Sequence, residues 1–377
     1  MLVLVTVLAS ALVLVTVLAA VLVLALLLRL MTEGLGPEPE LATTPGLVCG
    51  HHHLYSALAR GMPAPPRTPT SFPEILELIW WRLDRSLDLE MIRWSAMLGA
   101  LEALERGTTA IVDHHSSPGA IEGSLSVIAE ACAEVGVRVS CCYEVTDRNG
   151  LDGAKAGLAE NERYLRAGGR GYVGAHACFT LSDETLEATA GLAADLGLGV
   201  HVHVAEDAVD KGAGKRLENI ARDDWLLAHC VHLDRQLPGT IAHNARSNMN
   251  NSVGYAVPSR FGNTVVLGTD GIGGDMLEEF RIAYVRLRED DVTSTPELAW
   301  SWLASGAQLF PEVRDDRVTW SYEPVEPWHV AFTAGISPLE VVVDGEVLLF
   351  EGRPTRVDAT EVGRKAREQA ERLWRLL

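Results

Sequence analysis

Eight short apolar runs, alternating with longer stretches of helical periodicity, constrain this chain more than any other feature. The runs cover 47–48, 108–112, 137–142, 172–175, 198–204, 226–228, 240–242 and 264–267. Among the intervening stretches, 88–106, 124–135 and 182–196 carry apolar residues at helical spacing. Repeated strand–helix alternation implies a parallel sheet with right-handed crossovers. Eight units fit an α/β fold of the closed (β/α)8 TIM type better than an open doubly wound sheet. No GxGxxG follows the first run, which removes the main argument for a dinucleotide fold.

The flanks read differently. Residues 1–28 hold no charged side chain, Arg29 is the first, and LVLVTVLA occurs at 2–9 and again at 12–19. As a helix of roughly 42 Å the stretch would cross a bilayer, yet it lacks the basic start and the cleavage site of a secretory signal. A membrane anchor and a non-native terminus both stay open for this uncharged low-complexity segment, 1–30. Residues 31–46 have the Pro/Gly/Glu composition of a linker, 47–310 form the expected barrel, and 311–377 a C-terminal hairpin and helix. In that hairpin, 339–350, Asp344-Gly345 supplies the turn.

Net charge excludes one class of partner. The formal charge is −19 and no basic run offsets it, so nucleic acid is not expected. The six cysteines show no CxxC spacing, which argues against a disulfide scaffold or thiolate zinc finger and suits a reducing, cytoplasmic compartment for the catalytic part. Membrane association rests on residues 1–28 alone, and a homo-oligomer is compatible with everything above.

Ligand-type residues recur where the apolar runs end. His51 and His53 follow the first run, His176 closes the fourth, His203 the fifth, His229 the sixth, His243 the seventh and Asp270 the eighth. His51 and His53, like His201 and His203, stand two apart and project from one face of a strand. The C-terminal strand ends are the face on which barrel active sites are built. Imidazoles with a carboxylate suit zinc, with iron second, and an incomplete protein shell leaves room for water. A divalent ion lowers the pKa of such a water to roughly 7, and a nearby carboxylate can shuttle its proton to a leaving group. The pattern implies metal-assisted hydrolysis.

The order HHH at 51–53, HVHVAE at 201–206, AHCVHL at 228–233, HNARSNMNN at 243–251 and GTDG at 268–271 resembles the amidohydrolase superfamily, in its cytosine/guanine deaminase and triazine hydrolase branch. GLVCGHHHLYSALARGM at 46–62, WWRLDR at 80–85, GTTAIVDHH at 107–115 and CYEVTD at 142–147 resemble the SsnA-type aminohydrolases within it. The resemblance implies that His51, His53, His203 and Asp270 hold a single metal. It also implies that Glu206 and His229 act beside the attacking water and that His176 faces the substrate. Asp270 then counts among the catalytic groups as well as the ligands. The fourth run ends without a lysine, so a bridging carbamate has no candidate. Arg60 is a candidate grip on an anionic or carbonyl group, with a loop salt bridge as the competing reading. Asn248, with Asn244 and Ser247, would shape the pocket floor. Trp80 and Trp81 could stack on a planar ring, although core packing is the stronger reading.

Where members of the branch build a small β-sandwich, this chain has the uncharged repeat at one end and an eroded passage at 310–338 at the other, leaving only the hairpin. The implied function is a metal-dependent hydrolytic deaminase (aminohydrolase) removing an exocyclic amine from a small heterocycle such as a purine, pterin or pyrimidine. Hydrolysis of another C–N or C–halogen bond, and a non-catalytic membrane-tethered metal-binding barrel, are the competing functions. Both Glu206 and Asp270 are present, which weighs against the non-catalytic reading.

Overall fold

The computed structural model describes residues 41–377. The expectations for 1–30, and for the linker up to residue 40, lie outside the described residues. Among the described residues no helix is long and apolar enough to cross a membrane.

Thr43–Thr44 forms β1, and the eight expected runs become β2 (Leu47–His52), β3 (Thr108–His115), β4 (Arg138–Tyr143), β5 (Val173–Ala177), β6 (Val200–Val204), β7 (Leu226–His229), β8 (Thr240–His243) and β9 (Val265–Leu267). These eight are parallel, in two ladders ordered β2-β3-β4 and β5-β6-β7-β8-β9. Parallel bridges Cys141–Gly171 and Val145–Ala175 join the ladders on one side. On the other, the Asp270 amide donates to the His51 carbonyl at 3.0 Å, tying the end of β9 to β2. The barrel expected from the alternation is therefore closed.

Alternation along each strand divides the core. Val48, Val112, Ala228 and Ala242 point inward and pack with Phe310 and Val313. Their neighbours Ile111, Leu227 and Ile241 point outward to the helices. Phe310 is fully buried, and cutting it to Ala would cost roughly 3–5 kcal/mol. The helices begin and end as their sequences dictate. Asp88 caps Leu89–Leu104 through the Met91 amide at 2.8 Å, and Ser182 caps Asp183–Leu196 through Thr185 at 3.2 Å. Ser124–Val135 stops at Gly136, whose φ of 98° is left-handed.

The second sheet corrects the expectation of an eroded sandwich. β10 (Arg317–Trp320), β11 (Pro338–Val343), β12 (Glu346–Phe350) and β13 (Arg353–Pro354) join β1 in one antiparallel sheet ordered β1-β10-β11-β12-β13. The passage 310–338 thus contributes a strand that its short, interrupted apolar pattern concealed. Thr43 and Thr44, assigned above to the linker, pair with Thr319 and Val318. A buried Asp316 fastens this sheet to the barrel, accepting from Thr109 at 2.6 Å and from Arg138 at 2.6 and 2.9 Å. The turn between β11 and β12 is the expected one, with Asp344 and Gly345 at φ of 52° and 80°. The C-terminal helix, Ala359–Trp374, returns to the barrel, where Trp374 Nε1 donates to the Leu58 carbonyl at 2.9 Å.

Candidate active site

Each strand continues past its apolar run into polar residues, and there the histidines converge. β2 delivers His51 and, one residue past its end, His53; β6 delivers His203; β7 ends on His229; and Asp270 follows β9. His229 and Asp270 sit at left-handed φ of 70° and 65°. Such backbone costs of order 1–3 kcal/mol for a non-glycine residue and persists only where surrounding contacts impose it. Arg246 supplies several, donating to the carbonyls of Thr269 and Gly271 at 3.0 Å and to that of Ile272 at 3.3 Å.

Four side chains, His51, His53, His203 and Asp270, present ligand atoms that all lie within 4.8 Å of one another. Their hydrogen bonds decide which nitrogen is free. His53 Nδ1 lies 2.6 Å from the His114 carbonyl and His203 Nδ1 lies 2.9 Å from the His176 carbonyl. A carbonyl only accepts, so both Nδ1 atoms carry hydrogen, and each ring, when neutral, holds its lone pair at Nε2. Those two Nε2 atoms face each other at 3.2 Å. Asp270 Oδ1 completes the group, 2.9 Å from His51 Nε2 and 3.2 Å from His53 Nε2. Acceptors converging at this separation call for a cation between them, and the donor set fits a divalent metal. Burial disfavours a charge on His53, yet the hydrogen-bonded Asp270 carries its pKa up to about 9, so without an ion a proton takes the place at His53 Nε2 that a cation would fill.

Beside this group, Glu206 Oε2 and Asp270 Oδ1 each lie 3.7 Å from His229 Nε2. His229 Nδ1 donates to Asn248 Oδ1 at 2.8 Å, so its Nε2 is again bare. Two carboxylates and an imidazole lone pair therefore surround a position suited to a water's O–H groups. The carboxylates are driven apart. Burial and the Asp270 charge push Glu206 well above the ordinary carboxylate range. Burial opposes ionisation of Asp270 too, but His229, His51 and His53 outweigh it and hold Asp270 well below that range. Split carboxylates mark acid–base assignments.

These groups open on a cavity of about 260 Å³ whose lining includes His53, His203, Glu206, Asp270 and, on the far wall, Phe72, Trp80, Trp81, Asp84, Glu144 and His176. His176 lines the cavity, with Nδ1 held by Thr180 Oγ1 at 2.6 Å. Four sequence expectations need correction. Trp80 and Trp81, at and just past the end of a π-helical turn at Leu76–Trp80, line the cavity as well as packing on the apolar cluster of Phe72 and Leu76. Arg60 does not line it; its half-exposed guanidinium pairs with Glu102. Asn248 stands behind His229 and not at the cavity surface. His243 faces away, against Trp302 at 5.7 Å, because its strand neighbour Ala242 takes the inward position.

Glu144 and Asp84 were missed. Glu144 directly follows β4, the same place on a strand that selected the histidines, but attention to imidazoles passed it over. Burial works against its charge, and His176, His114 and Arg148 overcome that and hold Glu144 below the ordinary range. Burial pushes Asp84 up to about 6 despite its ion pair with Arg148, which also stacks on Trp81 at 5.1 Å. His114, Glu144 and His203 form a second close group. They do not make a separate metal site, since the one bare nitrogen of His203 is already directed to the first.

Comparison with known proteins agrees with this geometry. The model of a family described as the amidohydrolase family matches residues 42–301. The 5'-deoxyadenosine deaminase of Methanopyrus kandleri is 29% identical, over 87% of this chain and 86% of that protein. The 5-methylthioadenosine/S-adenosylhomocysteine deaminase of Syntrophomonas wolfei is 28% identical over 87% and 86%. Among solved structures, a zinc-bound adenosine deaminase from Xanthomonas campestris superposes with a TM-score of 0.76 at 21% identity, covering 89% of this chain and 86% of that one. Atrazine chlorohydrolase from Arthrobacter aurescens, complexed with zinc and atraton, gives 0.74 at 21% identity over 87% and 88%.

Proposed function

The chain belongs to the amidohydrolase family, and from that membership we propose that it is a metal-dependent hydrolytic deaminase of an amino-bearing nitrogen heterocycle. The observation that carries the reading is the pair of bare Nε2 atoms of His53 and His203, 3.2 Å apart beside Asp270. His51, His53, His203 and Asp270 would hold one ion, and zinc is its identity, supported by the zinc named in the two structural neighbours. When bound, the ion supplies a Lewis acid that makes a water nucleophilic near neutral pH.

The chain's own residues do the rest. Glu206, with its raised pKa, takes a proton from the attacking water and passes it to a ring nitrogen or the departing amine. His229 accepts a hydrogen bond from the same water, and Asn248 keeps its Nε2 bare for that purpose. His176 and Glu144 face the heterocycle, and Trp80 and Trp81 give its plane an aromatic wall. The names of the relatives support 6-aminopurine nucleosides as the first substrates to try. The chemistry belongs to 47–310, with the remaining segments as accessory parts.

Ammonia release across aminopurine nucleosides, free purines, pterins and pyrimidines, with metal analysis of the same sample, tests the proposal. Turnover of an aminated heterocycle by protein holding one zinc is expected. Zinc-loaded protein that releases no ammonia from any of them, but releases chloride from a chlorotriazine, would replace deamination by dehalogenation.

A further inference from the structure

His201 is fully buried inside the barrel, does not line the cavity described above and has no part in the chemistry above. It shares the HxH spacing with His203 and projects from the same face of β6. Its Nε2 lies 2.8 Å from His51 Nδ1. Its Nδ1 lies 3.6 Å from the Cys142 Sγ, which in turn lies 3.7 Å from the Asp113 carbonyl.

We infer that His201 is a positioning residue for metal binding: it accepts the Nδ1 hydrogen of His51 and so fixes the tautomer in which His51 Nε2 is a ligand. The inference rests on the metal reading proposed above. A histidine that ligates through Nε2 must carry its hydrogen on Nδ1 and needs an acceptor for it. For His53 and His203 that acceptor is a backbone carbonyl, which no substitution removes. For His51 it is a side chain. With an ion at His51 Nε2, which excludes hydrogen from that atom, the run points one way. His51 donates to His201 Nε2, His201 Nδ1–H donates to the Cys142 sulfur, and the Cys142 thiol donates to the Asp113 carbonyl. Every donor has one acceptor, and His51 Nε2 is left with a lone pair directed at the site. Without His201, the buried Nδ1–H of His51 would have no partner, and the ring would gain by moving its hydrogen to Nε2, where Asp270 accepts at 2.9 Å. That tautomer cannot bind metal.

The test uses the full chain, with zinc affinity measured by competition with a chromophoric chelator and the visible spectrum of the cobalt-substituted protein as a second readout. His201→Leu and His201→Phe both lack an acceptor and differ in volume, so one can fold where the other does not; His201→Gln offers an amide oxygen in its place. The acceptor-free variants should bind zinc roughly 10–100-fold more weakly, the usual cost of losing such a partner, with an altered cobalt spectrum. The Gln variant should stay close to wild type in both. Acceptor-free variants that fold and bind zinc like wild type would overturn the inference, and so would a Gln variant as weak as they are. Failure of the wild-type chain to bind zinc or cobalt at all would instead overturn the metal reading itself.

Discussion

Glu206 Oε2 stands 3.7 Å from His229 Nε2, and His229 Nε2 has no hydrogen-bond partner. In the reaction proposed above, ionised Glu206 and His229 Nε2 both accept from the attacking water. Glu206→Gln preserves the shape and removes the titrating group. Metal content should survive, while kcat falls by roughly 10²–10⁴, the usual contribution of a general acid–base. Steady-state kinetics with metal quantified in parallel checks this; near wild-type turnover would take Glu206 out of the mechanism.

His203→Ala removes one of four convergent ligand atoms and leaves the bare nitrogen of His53 without its counterpart. The variant should contain little or no metal and show no turnover, and chelation of the wild type should do the same reversibly on zinc addition. Elemental analysis decides it. Two tightly held ions per chain, or full metal content in the variant, would contradict the ligand set.

Arg60 and Trp81 should behave in opposite ways. Arg60 pairs with Glu102 away from the cavity, so Arg60→Ala should change stability by less than about 1 kcal/mol and leave kinetics untouched. Trp81 lines the cavity and carries Arg148 on its face. Trp81→Leu should raise KM more than it lowers kcat, because the ring binds substrate without entering the proton transfers. Equal losses in both parameters would imply a role in the reaction itself.

Asp113 gives the fold a pH dependence. It is fully buried on β3, one oxygen accepts from the Leu54 amide at 2.6 Å, and the other has no partner. Burial pushes its pKa up to about 7, against the relief from Leu54 and His53. The folded chain therefore holds this proton more tightly than the unfolded one, and stability from this group is lost as pH rises from about 4 to about 7. Asp113→Asn keeps the bond to Leu54 and does not titrate. Its stability should match wild type near pH 4 and exceed it above pH 7, by on the order of 4 kcal/mol at most, with Tm following. Parallel Tm curves across that range would refute the assignment.

Removal of residues 1–30 should leave metal content and turnover intact, because all the ligands lie between His51 and Asp270. Sedimentation of the full-length chain with membranes, and its loss on truncation, is the result expected of an anchor. An intact chain that stays in the supernatant would remove that reading.

Most of the barrel was legible because its signal is local. An apolar run fixes a strand, a capping Asp or Ser fixes where the following helix starts, and the position of His51, His203 and Asp270 relative to those runs follows directly. The strand β10 was not legible, since four residues between a two-residue edge strand and β11 carry too little hydrophobic pattern to stand out. The same limit hid the pairing of Thr43 and Thr44.

What the sequence by itself determined is the set of chemistry-bearing residues and the end of the barrel at which they stand, because strand direction and two-residue alternation are properties of the chain. Tertiary structure alone decided which of them face one another. Left-handed backbone at His229 turns its side chain inward against the alternation rule, Asp270 keeps the inward parity of Val266, and His243, obeying the same rule, turns out. Trp80 and Trp81 meet the cavity at the end of a π-helical turn, and carbonyls from distant strands choose the bare nitrogens of His53 and His203. Such choices depend on contacts between residues far apart in sequence, whose energies exist only once the barrel has closed.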